Sequence, residues 1–354
     1  MQHMRDTFVK DILTQVVSYL KKHPELLEMK TTELIQHTNK VMLNVDTSAG
    51  GDIGVIIHYG LYSMPAFDSN PSRRSIKNGS EWYLKRLMET NNYRPISGWK
   101  ETQAHHAENY GEQDYFDFKD MITITEEKVQ RWVQQAVVIG AKYVIITTRH
   151  HEGVCLWPSK VGLHLEQDVV GWVAKHTRAA GLKFGAYYSW IEWPKSFTKV
   201  YMEEVVEPQI DELQKKYKPD IFWFDGYWSV RSQVTKDKVT AICKKLKKAN
   251  PKVEINDRGE ESLATFRTFE KHFPEGKVKG PWEYIDTIGD SWGYNASAKK
   301  EGYKSGKILY ELYTKAARMG GRFTINIGPK GDGSLGKNES NSLKEFATFL
   351  QKEE

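Results

Sequence analysis

From residue 54 onward the chain repeats one unit: a short run of Val, Ile, Phe and Tyr ending in polar residues, followed in several cases by a segment whose apolar residues recur at helical spacing. The runs are GVIIHYG (54–60), KYVIITTRHH (142–151), LKFGAYYSW (182–190), DIFWFDG (220–226), VEIND (253–257) and RFTINIGP (322–329). β-Branched and aromatic residues suit strands. Between them, Val129, Trp132, Val133, Ala136 and Val137 keep the helical period, and Gly140 stands where a C-terminal cap belongs. Val169, Val170, Val173, Ala174 and Thr177 do the same before Gly181. Val239, Ile242, Cys243 and Leu246 precede Asn250–Pro251, and Ile308, Leu309, Leu312, Tyr313 and Ala316 precede Gly320–Gly321. Strands alternating with helices imply a parallel sheet. With 354 residues and this number of repeats, a closed (β/α)8-type, TIM-like barrel is favoured over an open sheet.

The barrel is predicted over residues 51–354, with NSLKEFATFLQKEE as its last helix and stretches 60–120 and 257–295 as long irregular loops over its mouth. Residues 1–50 do not fit the repeat. Phe8, Ile12, Val16, Val17 and Leu20 make an amphipathic helix there. This N-terminal helical segment reads as a cap on the barrel's bottom, or alternatively as a contact between copies in a homo-oligomer.

Charge and cysteine usage narrow the partners. The net charge is +5, from 51 basic and 46 acidic residues that are scattered rather than clustered, which argues against nucleic acid as a partner. No apolar run reaches about 18 residues, so no membrane span is expected. The two cysteines, Cys155 and Cys243, read as buried thiols. The N-terminal stretch has no uninterrupted apolar core of a signal peptide. The chain as it stands therefore reads as cytoplasmic, or as secreted or lysosomal if a leader once preceded it.

In a barrel the chemistry sits at the C-terminal ends of the strands. The polar residues there are His58, His150, His151, Tyr187, Asp225, Asp257 and Arg258. On DIFWFDG the side chains alternate, so Trp223 and Asp225 share a face. If that face meets the barrel axis, Asp225 is a positioned nucleophile or base. Otherwise Asp225–Gly226 is a turn, with the aspartate capping the next helix. His150 and His151 are adjacent and in extended chain point to opposite faces, which does not clamp one metal ion. His105–His106 reads as a solvated pair in a polar loop. GPKGDGSLG (328–336) lacks the Lys-Ser/Thr pair of a phosphate loop and reads as a turn between strand and helix. A rim of His, Trp, Tyr, Asp and Glu suits a sugar, and two positioned carboxylates would suit glycoside hydrolysis.

The segments GVIIHYGLYSMPAF, EWYLKRL, GAKYVIITTRHHEGVCLWPSK, DVVGWVAKHTRAAGLKFGAYYS, PDIFWFDG, NDRG, WEYIDTIGDSWGYN and GGRFTINIGPKGDGSL, in this order, resemble the signature segments of α-L-fucosidases of glycoside hydrolase family 29. The resemblance implies a (β/α)8-type barrel and retaining exo-hydrolysis of terminal α-linked L-fucose from oligosaccharides or glycoconjugates, with no metal or organic cofactor. Position by position, it implies that Asp225 is the nucleophile. In FRTFEKH it implies that Glu270 is the acid/base, with Glu260 and Glu261 as competitors. It also implies fucose contacts by His58, Glu81, Trp82, His150, His151, Tyr187, Trp223, Arg258 and Trp292, and a structural role for Glu283. Most members carry a β-sandwich after the barrel, which is not expected in this chain. Two rival readings stay open: a fucose-binding pseudoenzyme, and a barrel glycosidase for another sugar such as α-galactose.

Overall fold

The computed structural model describes residues 51–69, 79–90, 95–229 and 232–351, so the helical segment predicted over residues 1–50 lies outside the described residues. Eight strands form the core: β1 (Ile53–Ile57), β2 (Tyr143–Arg149), β3 (Lys183–Ser189), β4 (Ile221–Asp225), β5 (Glu254–Ile255), β6 (Arg267–Glu270), β7 (Trp282–Thr287) and β8 (Arg322–Ile327). All neighbours pair in parallel, in the order β5-β4-β3-β2-β1-β8-β7-β6. The two ends of this order meet through one parallel bridge between Asn256 and Phe266, where the Thr265 N–H donates to the Ile255 carbonyl at 2.8 Å. The sheet therefore closes on itself, as the repeat predicts.

Helices Glu126–Val138, Val169–Ala179, Glu207–Lys216, Gln233–Ala249, Gly306–Arg318 and Lys337–Leu350 return the chain to the next strand or complete the outer layer. Gly140 and Gly181 lie just past two of these helices with φ of +67° and +74°, the left-handed conformation that ends a helix at little cost to glycine. Cys155 and Cys243 are buried and unpaired, as expected. Among the described residues no helix is long and apolar enough to cross a membrane.

Two expectations need correction. Stretch 257–295 is not irregular, because it holds β6 and β7. β6 is only partly buried, and β7 carries Glu283 and Asp286 among its apolar residues, so neither shows the apolar run that marks the other strands. Glu283 is tolerated inside because it accepts from the Trp223 indole at 2.6 Å, Thr268 at 2.8 Å and Thr324 at 2.6 Å. Stretch 60–120 likewise contains helix Trp99–Tyr110, and His105 and His106 sit on it rather than in a loop. His106 is buried and bonds to the Gln113 carbonyl at 2.7 Å, and the Tyr83 hydroxyl lies 3.1 Å from both rings.

The apolar residues divide into two sets. Phe222 and Phe224 of β4 join the core between sheet and helices, whereas Ile221 and Trp223 join Ile56, Tyr143, Ile145, Tyr187 and Ile285 in a separate cluster. Side chains alternate along a strand, so Asp225 falls on the Ile221–Trp223 face, toward the barrel axis. Its position is fixed from both sides. The short β5 leaves Phe224 little ladder to pair with, and the buried Asn256 amide accepts from the Phe224 N–H at 2.8 Å and donates to its carbonyl at 3.0 Å. The Asp225 carbonyl accepts from the Trp190 N–H at 2.8 Å.

Candidate active site

The C-terminal ends of the strands open into one cavity of about 1170 Å³. All eleven residues expected from the sequence to touch substrate or carry chemistry line it: Asp225, Glu270, His58, Glu81, Trp82, His150, His151, Tyr187, Trp223, Arg258 and Trp292. Asp257 lines it too. Glu283 does not, in keeping with a structural role. Glu260 and Glu261 also lie outside: Glu260 accepts from Thr240 and Ser262, and Glu261 is an exposed partner of Arg267.

Asp225 closes β4, and Gly226 with φ of +82° turns the chain away. The carboxylate caps no helix. It accepts from the Tyr187 hydroxyl at 2.8 Å and from Arg258 Nη1 at 3.0 Å, and His151 Nε2 stands 3.5 Å away. Burial alone would push its carboxyl up. The Arg258 charge, then His151 and Tyr187, outweigh that and hold Asp225 well below the usual carboxylate range. Glu270 ends β6 and accepts from Arg258 Nη2 at 2.6 Å. One guanidinium thus bonds both carboxylates, and it lies over the Trp223 ring at 4.9 Å. Trp223 in turn stacks on Tyr187, with centroids 5.3 Å apart and planes at 17°. The rigid aromatic stack and the buried Glu283 behind it set where Arg258 can stand.

The histidines form the adjoining wall, with His58 and His150 packed against Tyr187. His150 and His151 reach the same cavity, against the expectation from alternation. β2 ends at Arg149, its register shifts between Thr147 and Arg149, and a turn with Gly153 at φ +87° follows, so the two rings come to lie 4.3 Å apart. Extended geometry does not apply to residues already in a turn. His151 Nδ1 is 2.6 Å from the Ser189 hydroxyl, and the buried His150 Nδ1 has no protein partner. Burial drives the His150 pKa well down. Glu81 accepts through one oxygen from Ser291 at 3.0 Å and the Gly293 N–H at 3.1 Å, while its other oxygen is buried and unpartnered. Burial raises its carboxyl above the usual range. Buried polar atoms left without a protein partner beside a cavity are suited to a ligand rich in hydroxyl groups.

His58 follows β1 and pairs with the Asn326 side chain at 2.6 Å. Burial pushes its pKa down to about 3, against the pull of that hydrogen bond. The unfolded chain binds a proton near pH 6.5 that the folded chain refuses. The stability contributed by neutral His58 is therefore complete above about pH 6.5 and lost as the pH falls toward 3. Replacing His58 by Gln is expected to lower the slope of unfolding free energy against pH in that window, by up to about 1.4 kcal/mol per pH unit. Denaturant melts at stepped pH measure this, and an unchanged slope would mean that folded His58 is charged.

Trp193 and Trp228 also line the cavity and were not singled out from the sequence. The signal was present: each follows a strand end by a few residues, in SWIEW after β3 and in DGYW after β4. Asn326 and Ser189, which hold two of the histidines, carried no signal of their own.

A closed barrel whose C-terminal mouth holds two carboxylates on one guanidinium, walled by aromatic rings and hydrogen-bonding histidines, defines the chain as a glycoside hydrolase. More closely, it belongs to the α-L-fucosidase family, whose model matches residues 47–354. The α-L-fucosidase of Dictyostelium discoideum is 29% identical over 326 residues, covering 84% of this chain and 68% of that protein. Human tissue α-L-fucosidase is 28% identical, covering 80% of this chain and 62% of its own length, so the chain spans about two thirds of these relatives. Among solved structures, the Thermotoga maritima α-fucosidase in complex with fucose superposes with a TM-score of 0.72 at 29% identity, covering 87% of this chain and 74% of that one. An α-L-fucosynthase form of the T. maritima enzyme, in complex with α-L-Fuc-(1-2)-β-L-Fuc-N3, gives a TM-score of 0.73 at 28% identity, covering 86% and 73%.

Proposed function

We propose that this chain is a retaining exo-α-L-fucosidase that releases terminal α-linked L-fucose from glycans by double displacement, with Asp225 as nucleophile and Glu270 as acid/base. One observation carries the reading. Asp225 is held ionised at the inner face of the cavity, one guanidinium away from Glu270. Both carboxylates bond the same guanidinium, at 3.0 and 2.6 Å, which gathers them in one part of the cavity, and a retaining mechanism needs the two roughly 5–5.5 Å apart.

In the first step Asp225 attacks the anomeric carbon, the bond to the leaving oxygen breaks, and protonated Glu270 gives that oxygen its proton. In the second, Glu270 takes a proton from water, whose oxygen attacks the same carbon and releases Asp225. The negative charge moves from Asp225 to Glu270 in the first step and returns in the second. Arg258 bonds both, so one fixed cation serves whichever carboxylate is charged, and no solvent has to reorganise. The unpartnered atoms of Glu81 and His150 and the ring of His58 are placed to meet sugar hydroxyls. Trp292, 5.0 Å from His58, offers an apolar face to the fucose methyl. The inner end of the cavity is closed by Trp223 and Ile285, which supports removal of terminal residues only.

The test is turnover of an aryl α-L-fucoside by the purified chain, with NMR of the sugar first released. The expected product is α-L-fucose, and aryl α-galactosides should be poor substrates. Initial release of β-fucose would overturn the retaining assignment. Fucose binding without turnover would favour a binding protein.

A further inference from the structure

One sugar ring does not fill this cavity. Its volume of about 1170 Å³ exceeds the roughly 300–1000 Å³ usual for the pocket of a drug-sized ligand, which is itself larger than one sugar ring. The groups assigned to the reacting sugar lie at the buried end, where His58 is 5% exposed and Asp225 and Trp292 are each 8% exposed. At the outer end stands Trp228, 53% exposed, on the turn Tyr227–Ser229. Its ring meets His151 edge-on at 5.5 Å. Trp193 continues this wall, 5.1 Å from Trp82 and 5.3 Å from His151.

The wall is held in place by groups that the chemistry does not use. Arg149 is fully buried and donates to Glu192 at 2.6 Å and to the Ser189 carbonyl at 2.9 Å. The Trp193 N–H donates to the His151 carbonyl at 2.8 Å. A buried arginine therefore grips the loop on either side of β3's exit, and the indole that follows is presented in a fixed pose. Exposed tryptophans occur singly on many surfaces. Here the exposed Trp228 and the partly buried Trp193 continue an aromatic wall that begins at the buried histidines and ends in water.

We propose that Trp193 and Trp228 form a platform for a second sugar, the ring on the leaving-group side of the scissile bond, and that the enzyme selects fucosylated oligosaccharides over fucosides without a sugar aglycone. This rests on the fucosidase reading above. The inner end is closed, so the terminal sugar goes in and the rest of the glycan leaves through the mouth, past Trp228. A pyranose lays its C–H face on an indole, and a rigid indole loses little entropy on doing so.

The test compares fucosyl oligosaccharides of several linkages with α-L-fucosyl fluoride, whose leaving group has no ring to stack. In Trp228→Ala, kcat/KM on the best oligosaccharide should fall roughly tenfold or more relative to that on the fluoride, and Trp228→Phe should recover most of the loss. An equal fall on both substrates, or no fall on the oligosaccharide, would overturn the platform while leaving the fucosidase standing. If the wild type cleaves neither substrate, the functional reading fails, and calorimetry with the same oligosaccharide decides the platform. A tenfold weaker Kd in Trp228→Ala supports it. An equal Kd, or no binding to the wild type, overturns it.

Discussion

Asp225→Gly is expected to lose turnover of aryl α-L-fucosides by on the order of 10⁴-fold or more, because a covalent mechanism without its nucleophile has no first step. Tyr187, Arg258 and the histidines remain to hold the sugar, so binding should survive far better than rate. The missing carboxylate leaves room on the face from which it attacked. Azide entering there should displace a good leaving group with one inversion and give β-fucosyl azide. Arg258 would meet the azide as it met the carboxylate, which favours an anion in that position. Product NMR reads the configuration directly. A variant that keeps its activity would mean that the Asp225–Gly226 turn serves only the fold.

Glu270→Ala is expected to separate substrates by leaving group. Natural glycans leave as poor alkoxides and need the proton, so their turnover should drop roughly 10²–10⁴-fold. Aryl fucosides with acidic phenols need little protonation, and their first step should persist. The fucosyl-enzyme then accumulates, because no base activates water, and a burst of phenol should precede a slow steady state. Azide needs no base. It should restore the second step and give α-fucosyl azide, the product of two inversions. Equal losses on both substrate types with no azide effect would place the acid/base elsewhere. Glu260 and Glu261 are poor replacements on geometry, since both are tied to partners outside the cavity.

Much of the barrel was legible because a fully covered parallel strand is apolar on both faces and its helix keeps a 3.6-residue period. β1, β2, β3, β4 and β8 show this, and Gly140 and Gly181 mark helix ends by a conformation that favours glycine. β6 and β7 did not show it. β7 buries Glu283 and Asp286, and a buried carboxylate is tolerated only if donors from elsewhere reach it, which no local window reveals. The helix carrying His105 and His106 was hidden for a similar reason. Its polar residues look solvated until the Tyr83 hydroxyl and the Gln113 carbonyl are found beside them.

By itself the sequence determined the barrel class, that Trp223 and Asp225 share one face of β4 and, through family resemblance, which residues to inspect at the strand ends. Those are local properties, decided by side-chain alternation and residue type within a few positions. Only the tertiary structure decided that His150 and His151 share a cavity, that one guanidinium spans Asp225 and Glu270, and that Trp193 and Trp228 prolong the wall outward. Each of these depends on where the sheet closes, between Asn256 and Phe266, and on turns that take residues out of extended geometry. Closure brings together side chains far apart in the chain, and the energy that favours it is spread over the whole buried core rather than written in any one segment.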